Sequence, residues 1–440
     1  MKTLNFWPAA LPIVVKYGGS PELDAPTLED EDNIMAAMKQ AGRVSSISLT
    51  VTRSLRERFR AIEGPFPELE DLVLLFQDGM QMTLPSTSRG PRLCSLHSTR
   101  IAFPPLLQLL YSSKRLVDLR LHNLCDSLWL SQEALADALA GMSQLRALSV
   151  HFLPTASSIE APSPAGERVV LPVLTRLAFR GMSEYLEGLV VRIHAARLED
   201  IDITFFDDPI FGVANLSNFF DRIQMQKLHG RAEALFSEHA ISISLIQPGR
   251  PMRPKLRISI RASNLQLRSM IRLCNCLAPF LSSVEDLRIH TRLLSGQDNS
   301  DCERWAELLR PFWGAERFHI AGNLSSDAVL SLQLLRKRHD NLLPLLDNIY
   351  IWEPEPHFTH LHVPMVSAMA SRWLPGYFIG VQYERTNDLH SGTAVQYQHR
   401  YALTRWNRTF LSASDDRCAL RRRPYEHISS LYLCISPILG

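Results

Sequence analysis

Clustered histidines and cysteines are the first places where this chain could do chemistry, because both residue types bind transition metals. His357, His360 and His362 form an H-x-x-H-x-H run, but no cysteine or carboxylate completes a familiar ligand spacing. Cys274 and Cys276 form a C-x-C pair without a second pair nearby, which favours buried thiols in a helix. We therefore predict no metal ligand at these positions.

Motifs of common enzymes are absent from the sequence, which has no G-x-S-x-G, H-E-x-x-H or G-x-x-x-x-G-K-[ST] segment. Gly18 and Gly19 precede Pro21 and indicate a turn rather than a phosphate-binding loop. The acidic run 29–32 opens a predicted helix over residues 33–41, where carboxylates favour the helix N-terminus. We predict no catalytic residue, no cofactor and no enzymatic activity.

The charge balance argues against nucleic acid as a partner. The 440 residues carry a formal net charge of +2, whereas a nucleic-acid binder needs a concentrated basic surface. The run Arg421, Arg422 and Arg423 favours a solvated tail over a nuclear signal or nucleic-acid patch. No apolar run reaches the roughly 18–20 residues of a membrane span. Seven scattered cysteines are typical of reduced thiols, so we expect a cytoplasmic or nuclear protein.

The elements that position these residues follow a six-residue pattern, L-x-x-L-x-L with apolar substitutes. Its fourth and sixth residues predict a short strand with one buried face, and its first enters the core just before the strand. In the copy that begins at Leu93, Ser98 stands at the third apolar place. Copies are 23–31 residues apart, except for one gap of 86. They begin at Val44, Leu69, Leu93, Leu116, Leu145, Leu174, Leu198, Val284, Ala315 and Leu346.

Segments between the copies predict helices that return the chain. Ser131 is a candidate cap for a helix ending at Gly141, Ser183 caps a second, and Asp301 precedes a third that Pro311 stops. One strand and one helix cannot bury their own apolar faces, so neighbouring repeats must stack. The sequence predicts an α/β fold: an irregular leucine-rich-repeat solenoid with a curved parallel sheet on the concave face and helices on the convex face.

Prolines at a fixed offset support this register. Proline ends a helix and favours extended geometry before it, so it suits the junction between return helix and strand. The prolines that stand two residues before a hexamer are Pro67, Pro91, Pro172 and Pro344.

The long gap between the copies at Leu198 and Val284 predicts irregular structure. A helix is expected around residues 216–225. Two strand-like runs, which begin at Ala240 and Leu256, flank the segment QPGRPMRP. They predict either a hairpin or two degenerate repeats.

Side chains at the third and fifth places of the hexamer point away from the predicted core. This face is charged and mixed in sign, which suits a polar protein surface or simply solvated strands. Arg176 and Asp200 lie in successive repeats and could pair across the ladder. The residues predicted on this face are Asp71, Val73, Asp118, Arg120, Arg176, Ala178, Asp200, Asp202, Asp286, Arg288, Arg317 and His319.

Three parts are predicted along the chain. Residues 1–43 form an N-terminal segment with a strand and a helix. Residues 44–352 form the irregular repeats, with a degenerate or hairpin-containing stretch near 205–283. Residues 353–440 lose the strand pattern and form a divergent tail.

Several segments resemble the leucine-rich-repeat region of fungal F-box proteins, most closely those of basidiomycetes. LPIVVKYGG, EDEDNIMAAMK and RVSSISLTV resemble the stretch that follows the F-box, and LEDLVLL, ERVVLPVLTRLAFRG, LEDIDITFF and SEHAISIS resemble later repeats. The resemblance covers roughly residues 8–352. It implies that the repeats hold a protein target while an F-box docks the adaptor subunit of an SCF ubiquitin ligase.

The F-box itself is not present upstream of Leu11. We therefore expect a protein-interaction scaffold that contacts the SCF adaptor only if an upstream F-box exists. The alternative is a stand-alone leucine-rich-repeat protein or a truncated product with no ubiquitin-ligase role.

Overall fold

The computed structural model shows an α/β chain whose strands pair mostly in parallel. It divides into two compact units, Met1–Gln226 and Lys227–Gly440, called here the first and second units. No helix in the described ranges is both long and apolar enough to cross a membrane. The residues described are 11–17, 27–60, 62, 65–76, 90–100, 103–124, 130–154, 168–206, 214–223, 230–237, 240–246, 256–261, 266–291, 302–321, 343–352, 377–386, 396–405 and 430–431.

The first unit is built on strands that pair in chain order, each parallel to the next. Its strands are β1 (Ile13–Tyr17), β2 (Val44–Val51), β3 (Asp71–Phe76), β4 (Ser95–Thr99), β5 (Asp118–Leu124), β6 (Ala147–Phe152), β7 (Val169–Val170), β8 (Arg176–Gly181), β9 (Ile193–His194) and β10 (Asp200–Phe205). Its helices are α1 (Leu28–Met38), α2 (Arg53–Arg60), α3 (Phe103–Ser112), α4 (Gln132–Ala140), α5 (Ser183–Arg192) and α6 (Ala214–Arg222). The sheet runs from β1 to β10 without β7 and β9, which form a separate parallel pair.

The hexamers correctly predicted seven of these strands, β2 to β6, β8 and β10. Strand β5 begins at the third residue of its hexamer, and Leu116, Leu119 and Leu121 are fully buried at the first, fourth and sixth places. The same alternation holds in the neighbouring strands because each side-chain face of a strand repeats every two residues. Ser98 is also buried at its apolar place, and no described residue hydrogen-bonds its hydroxyl.

A tight turn before the strand explains the fixed prolines. The N–H of Leu69 donates to the carbonyl of Phe66 over 3.3 Å, so Pro67 is the second residue of a four-residue turn. Proline is favoured at that position because its ring fixes the φ angle that the turn requires. Leu93 closes the same turn around Pro91. The prolines therefore build the entry to the strand.

Backbone bonds also link the residue before one strand to the next repeat. The Glu70 carbonyl accepts from the N–H groups of Cys94 (2.7 Å) and Ser95 (3.0 Å), and the Cys94 carbonyl accepts from Val117 (2.7 Å) and Asp118 (3.1 Å). The bonds satisfy main-chain groups that would otherwise lie unpaired at the edge of the core.

The predicted caps are partly right. Ser131 caps α4 by accepting from the Ala134 N–H over 3.0 Å, and Gly141 follows its last residue, as predicted. Ser183, however, is the first residue of α5 rather than its cap, which is Met182 without a side-chain bond.

The acidic run lies inside α1, which begins at Leu28, earlier than predicted. Thr27 caps it by accepting from the Asp30 N–H, and the Asp30 carboxylate accepts in return from the Thr27 N–H. This reciprocal cap satisfies two donors that have no partner within the helix.

Helices α3 to α6 contact one another in chain order and cover the buried face of the sheet. Tyr185 of α5 packs against Phe152 and Phe179, with ring centroids 4.6 and 6.1 Å away. Glu187 of α5 accepts from the N–H groups of Asn215 (2.9 Å) and Leu216 (3.0 Å), so it caps the start of α6. Burial raises the pKa of this carboxyl.

The second unit combines parallel strands with antiparallel additions. Strands β11, β14, β15 and β16 pair in parallel, whereas β11–β12–β13 and β16–β18–β17–β19 are antiparallel. The strands are β11 (Gly230–Phe236), β12 (Ile241–Ile246), β13 (Leu256–Ile260), β14 (Val284–Thr291), β15 (Arg317–Ala321), β16 (Asn348–Trp352), β17 (Tyr377–Thr386), β18 (Gln396–Arg405) and β19 (Ser430–Leu431). The helices are α7 (Gln266–Cys276), α8 (Ala278–Leu281) and α9 (Cys302–Leu309).

The irregular gap contains a hairpin. The runs that begin at Ala240 and Leu256 form β12 and β13, which pair antiparallel. Strand β11 was not predicted, because alanines at alternate positions conceal its apolar face. In its described residues, the divergent tail also contains three unpredicted strands, β17, β18 and β19.

Candidate functional site

The side chains at the third and fifth residues of each hexamer, together with the residue that directly follows it, form one face of the sheet, called the open face. In the first unit, cross-strand register places Ser95, Asp118 and Ala147 side by side in one row. The next row contains His97 and Arg120. Side chains that the sequence predicted here, from Asp71 to Asp202, are all at least partly exposed. Arg176 and Asp200 lie directly opposite each other in register.

Three histidines, His97, His122 and His151, meet on this open face and form the histidine cluster. The rings of His122 and His151 stack with centroids 4.1 Å apart and planes 5° apart. The His97 ring meets His122 edge-on at 5.0 Å. The Ser149 hydroxyl lies 2.9 Å from His122 Nε2 and 3.2 Å from His151 Nε2. The cluster thus joins three consecutive strands of the sheet, β4, β5 and β6.

An irregularity of β5 adjoins this cluster. The pairing of β5 with β6 shifts after Leu121, so that Leu124 lies opposite Phe152. Asn123 has φ 55°, in the left-handed region that only a few residue types adopt readily. Arg100, which follows β4, has φ 56°, and its N–H donates to the His122 carbonyl over 3.0 Å. Bulges and unusual backbone angles concentrate at functional sites, where they re-aim side chains.

Arginines flank the histidine cluster on both sides. Arg120 donates two bonds to Asp118, at 3.0 Å from Nε and 2.7 Å from Nη2. The Arg180 guanidinium lies 5.6 Å from the centre of the Phe206 ring. Both arginines are on strands next to an imidazole of the cluster, so they oppose its protonation.

The environment keeps all three imidazoles neutral near pH 7. Burial, and then the neighbouring charges of His151, His97 and Arg120, lower the pKa of His122 to about 4. Burial is also the main cause of the lowered pKa of His97, with a contribution from Arg120. The lowered pKa of His151 comes from burial and then from Arg180.

The stacked geometry does not suit a metal. The described ranges contain no group of three His, Cys, Asp or Glu residues that could hold an ion. Because the rings of His122 and His151 are nearly parallel, their nitrogen lone pairs do not converge on one ion at the roughly 2.0–2.1 Å of a zinc–nitrogen bond.

Nucleophilic catalysis at Ser149 is also poorly supported. Two imidazoles lie within hydrogen-bond reach of its hydroxyl, which is one requirement for activation. An imidazole with a pKa near 4, as in His122, is however a weak base at neutral pH. No described carboxylate hydrogen-bonds His122 or His151 to orient the ring, as a triad would require.

The open face of the second unit contains a different group, the aspartate cluster of Asp286, Arg231, Arg288 and His319. Asp286 lies 3.3 Å from Arg231 Nε, 3.4 Å from Arg288 Nε and 3.2 Å from His319 Nε2. The His319 ring stacks on Tyr350 with centroids 4.3 Å apart. Burial alone would raise the pKa of Asp286, but His319 and Arg288 hold it far below its usual range. Asp286 and His319, predicted as solvent-facing, are in fact buried.

The sequence interpretation missed the histidine cluster. His122 and His151 each directly follow a hexamer, in LVDLRLH and LRALSVH, and this shared seventh residue was the available signal. His97 lies at the fifth place of the copy that begins at Leu93, in which Ser98 replaces the third apolar residue. Sequence spacing alone could not reveal the stack, because it depends on β5 and β6 pairing in the register that sets Leu121 opposite Val150.

The other residues weighed at the sequence level do not form a site in the described ranges. Cys274 and Cys276 are both buried in α7, and burial raises the pKa of the Cys274 thiol. The remaining candidates lie outside the described residues: Gly18, Gly19, His357, His360, His362, Arg421, Arg422 and Arg423.

Comparison with known proteins gives this chain no family. No protein-family model matches the sequence, and no curated protein matches it.

Proposed function

We propose that this chain is a protein-interaction scaffold that binds its partner on the open face of the first unit. The observation that carries the proposal is the composition of that face. Partly exposed imidazoles, the Arg120–Asp118 ion pair and the Arg180 cation over Phe206 lie on parallel strands that backbone bonds hold in fixed register. A rigid face with polar and aromatic groups suits recognition of a protein surface.

A leucine-rich-repeat solenoid is the architecture that we propose for this scaffold. Three repeated features support it: the hexamer, the turn that precedes its strand, and the parallel pairing of consecutive strands. Such an architecture presents an extended binding surface because each repeat adds one strand to it.

In terms of the family resemblance, the scaffold would be the substrate-recognition part of an F-box protein in an SCF ubiquitin ligase. We propose a cytoplasmic or nuclear protein without enzymatic activity of its own. The mixed signs of Asp118, Arg120, Arg176 and Asp202 disfavour nucleic acid, which needs a continuous basic surface. The alternative is a stand-alone repeat protein with no ubiquitin-ligase role.

Charge reversal on the open face tests the scaffold. Tagged full-length chain would be expressed in its native cells, and captured proteins quantified by mass spectrometry. Arg176→Glu is expected to reduce capture of the specific partner about tenfold or more, because it places a like or unpaired charge in the interface. Arg197→Glu is the matched control, since Arg197 is exposed in the turn before β10 and not on the open face. Equal capture by both variants would remove this face as the binding site.

The ligase role has a separate test. The longest natural product of the gene would be purified and probed for the SCF adaptor subunit. Co-purification of the adaptor supports the ligase role, whereas its absence, with the target still captured, favours the stand-alone scaffold.

A further inference from the structure

The histidine cluster has no carboxylate in direct hydrogen-bond contact among the described residues, although Asp118 and Asp202 lie near enough to raise the pKa of its imidazoles slightly. None of its three rings hydrogen-bonds to a described carboxylate. Asp118, the acid on the same strand as His122, is already bonded twice to Arg120. The cluster is partly exposed, so a group from another molecule can reach it.

We propose that the histidine cluster binds a carboxylate-bearing segment of a partner protein and takes up a proton as it does so. The inference rests on the proposed scaffold function and names the chemistry of its partner. The carboxylate would accept hydrogen bonds from ring N–H groups at the rim of the stack of His122 and His151, where it supplies a negative charge in direct contact with the rings.

The physical reason is the arrangement of the rings. Protonation of His122 in the free protein is unfavourable because the ring is partly buried, and because the stacked ring at 4.1 Å, the edge-on ring at 5.0 Å and Arg120 bring like charge close to it. An anion against the cluster reverses the balance, because opposite charges within a few ångströms favour the charged form. Charge-assisted bonds from imidazolium to carboxylate are also stronger than neutral ones.

The surrounding charges favour an acidic peptide over a polyphosphate. Carboxylates on neighbouring strands repel a dense negative charge, yet leave room for single carboxylates at the cluster. The charged residues on the open face of strands β3 to β10 are Asp71, Asp118, Arg120, Arg176, Arg180, Asp200 and Asp202, and Arg100 follows β4.

The proposal predicts opposite pH dependences for binding and folding. In the free chain His122 has a pKa of about 4, and in the complex we expect it to return towards 6.5. Affinity then rises as pH falls, since the complex holds the additional proton. For that shift alone, linkage gives about tenfold tighter binding at about pH 5.5 than at about pH 7.5.

Titration calorimetry of the full chain with an oligoglutamate peptide tests the inference. We expect the tenfold tightening, and an apparent enthalpy that varies with the ionisation enthalpy of the buffer because a proton is taken up. An oligoglutamine peptide of equal length is the ligand control and is expected not to bind. This measurement uses the unaltered chain and does not depend on any variant folding.

A matched pair of variants locates the effect. His122→Gln is expected to remove most of the tenfold pH effect on oligoglutamate binding. His194→Gln, in β9 outside the main sheet, is expected to retain it. Circular dichroism of both variants confirms that the fold is kept.

Three outcomes would overturn the inference: binding without proton uptake, equal binding of the oligoglutamine peptide, or binding of a phosphoserine peptide in place of oligoglutamate. Suppose that Arg176→Glu abolishes capture of a native partner, but the unaltered chain binds this partner equally well at all pH values. The scaffold function would then stand, and only this inference would be overturned. If oligoglutamate binds with proton uptake but Arg176→Glu reduces the capture of no partner protein, the carboxylate-binding role of the histidine cluster would be supported and the scaffold function contradicted.

Discussion

The two units each contain an Asp-Leu-Arg segment at the same places of the hexamer, yet the two aspartates differ in burial. Asp118 pairs with Arg120 at 2.7 Å in the first unit, and Asp286 pairs with Arg288 at 3.4 Å in the second. The Asp118 side chain is 29% exposed, whereas that of Asp286 is 9% exposed.

Cross-strand neighbours account for the difference. Asp118 lies between Ser95 and Ala147, whose small side chains leave it open to water. Asp286 lies between Arg231 and Arg317, and His319 approaches it from the adjacent row. An exposed ion pair contributes little to stability, but a buried charge depends strongly on its partners. The same local sequence therefore has different energetic consequences in the two units.

The largest expected effect is loss of the buried aspartate. Asp286→Ala leaves Arg231 and Arg288 without their shared carboxylate, and we expect a loss of about 3 kcal/mol. Asp118→Ala, the matched change in the first unit, should cost less than about 1 kcal/mol because its pair is exposed. Hydrogen exchange in β14 reports the stability of the second unit, and exchange in β5 reports that of the first. Similar losses at the two positions would contradict the comparison.

The next effect is the pH at which each unit weakens. Below pH 6.5 the histidines of the unfolded first unit become protonated, whereas His122 in the folded unit stays neutral until about pH 4. The stability of the first unit therefore falls as the pH decreases from 6.5 to about 4. Asp286 has a lowered pKa in the folded state, so its contribution is complete above pH 3.8 and is lost only as pH falls further.

We therefore expect hydrogen exchange in β5 and β6 to accelerate first on acidification, by an amount that corresponds to about 1–2 kcal/mol after allowance for partial exposure. Exchange in β14 should change only at lower pH. His122→Gln should flatten the first response. Simultaneous weakening of the two units would show that the histidine cluster does not control the acid response.

The smallest expected effect is in the core of the first unit. Ser98→Ala removes a buried hydroxyl that has no described partner, so the first unit should gain about 1 kcal/mol. Ser113→Ala is the control, because its buried hydroxyl donates to the Leu109 carbonyl over 2.7 Å and its removal should give no gain. Hydrogen exchange in β4, measured at increasing denaturant concentration, gives the stability of the first unit in each of the two variants. Destabilisation by Ser98→Ala would reveal a bond to this hydroxyl.

Much of the first unit was predictable because its determinants are local. The hexamers predicted strands β2 to β6, β8 and β10, and Ser131 and Gly141 predicted the ends of α4. The fixed prolines were recognised, but their role as turn residues required the bond between Leu69 and Phe66. In the second unit the hairpin was one of two alternatives, and β11 was missed because its pattern is weak.

The sequence by itself determined which residues form the strands and which of their faces is apolar, because alternation within a hexamer is a property of neighbouring residues. Only the tertiary structure decided the two clusters. His97, His122 and His151 are 25 and 29 residues apart, and they meet because strands β4, β5 and β6 pair in parallel. Burial of Asp286 likewise depends on Arg231 and His319 from other strands. Contacts across a sheet depend on register, which no single repeat specifies.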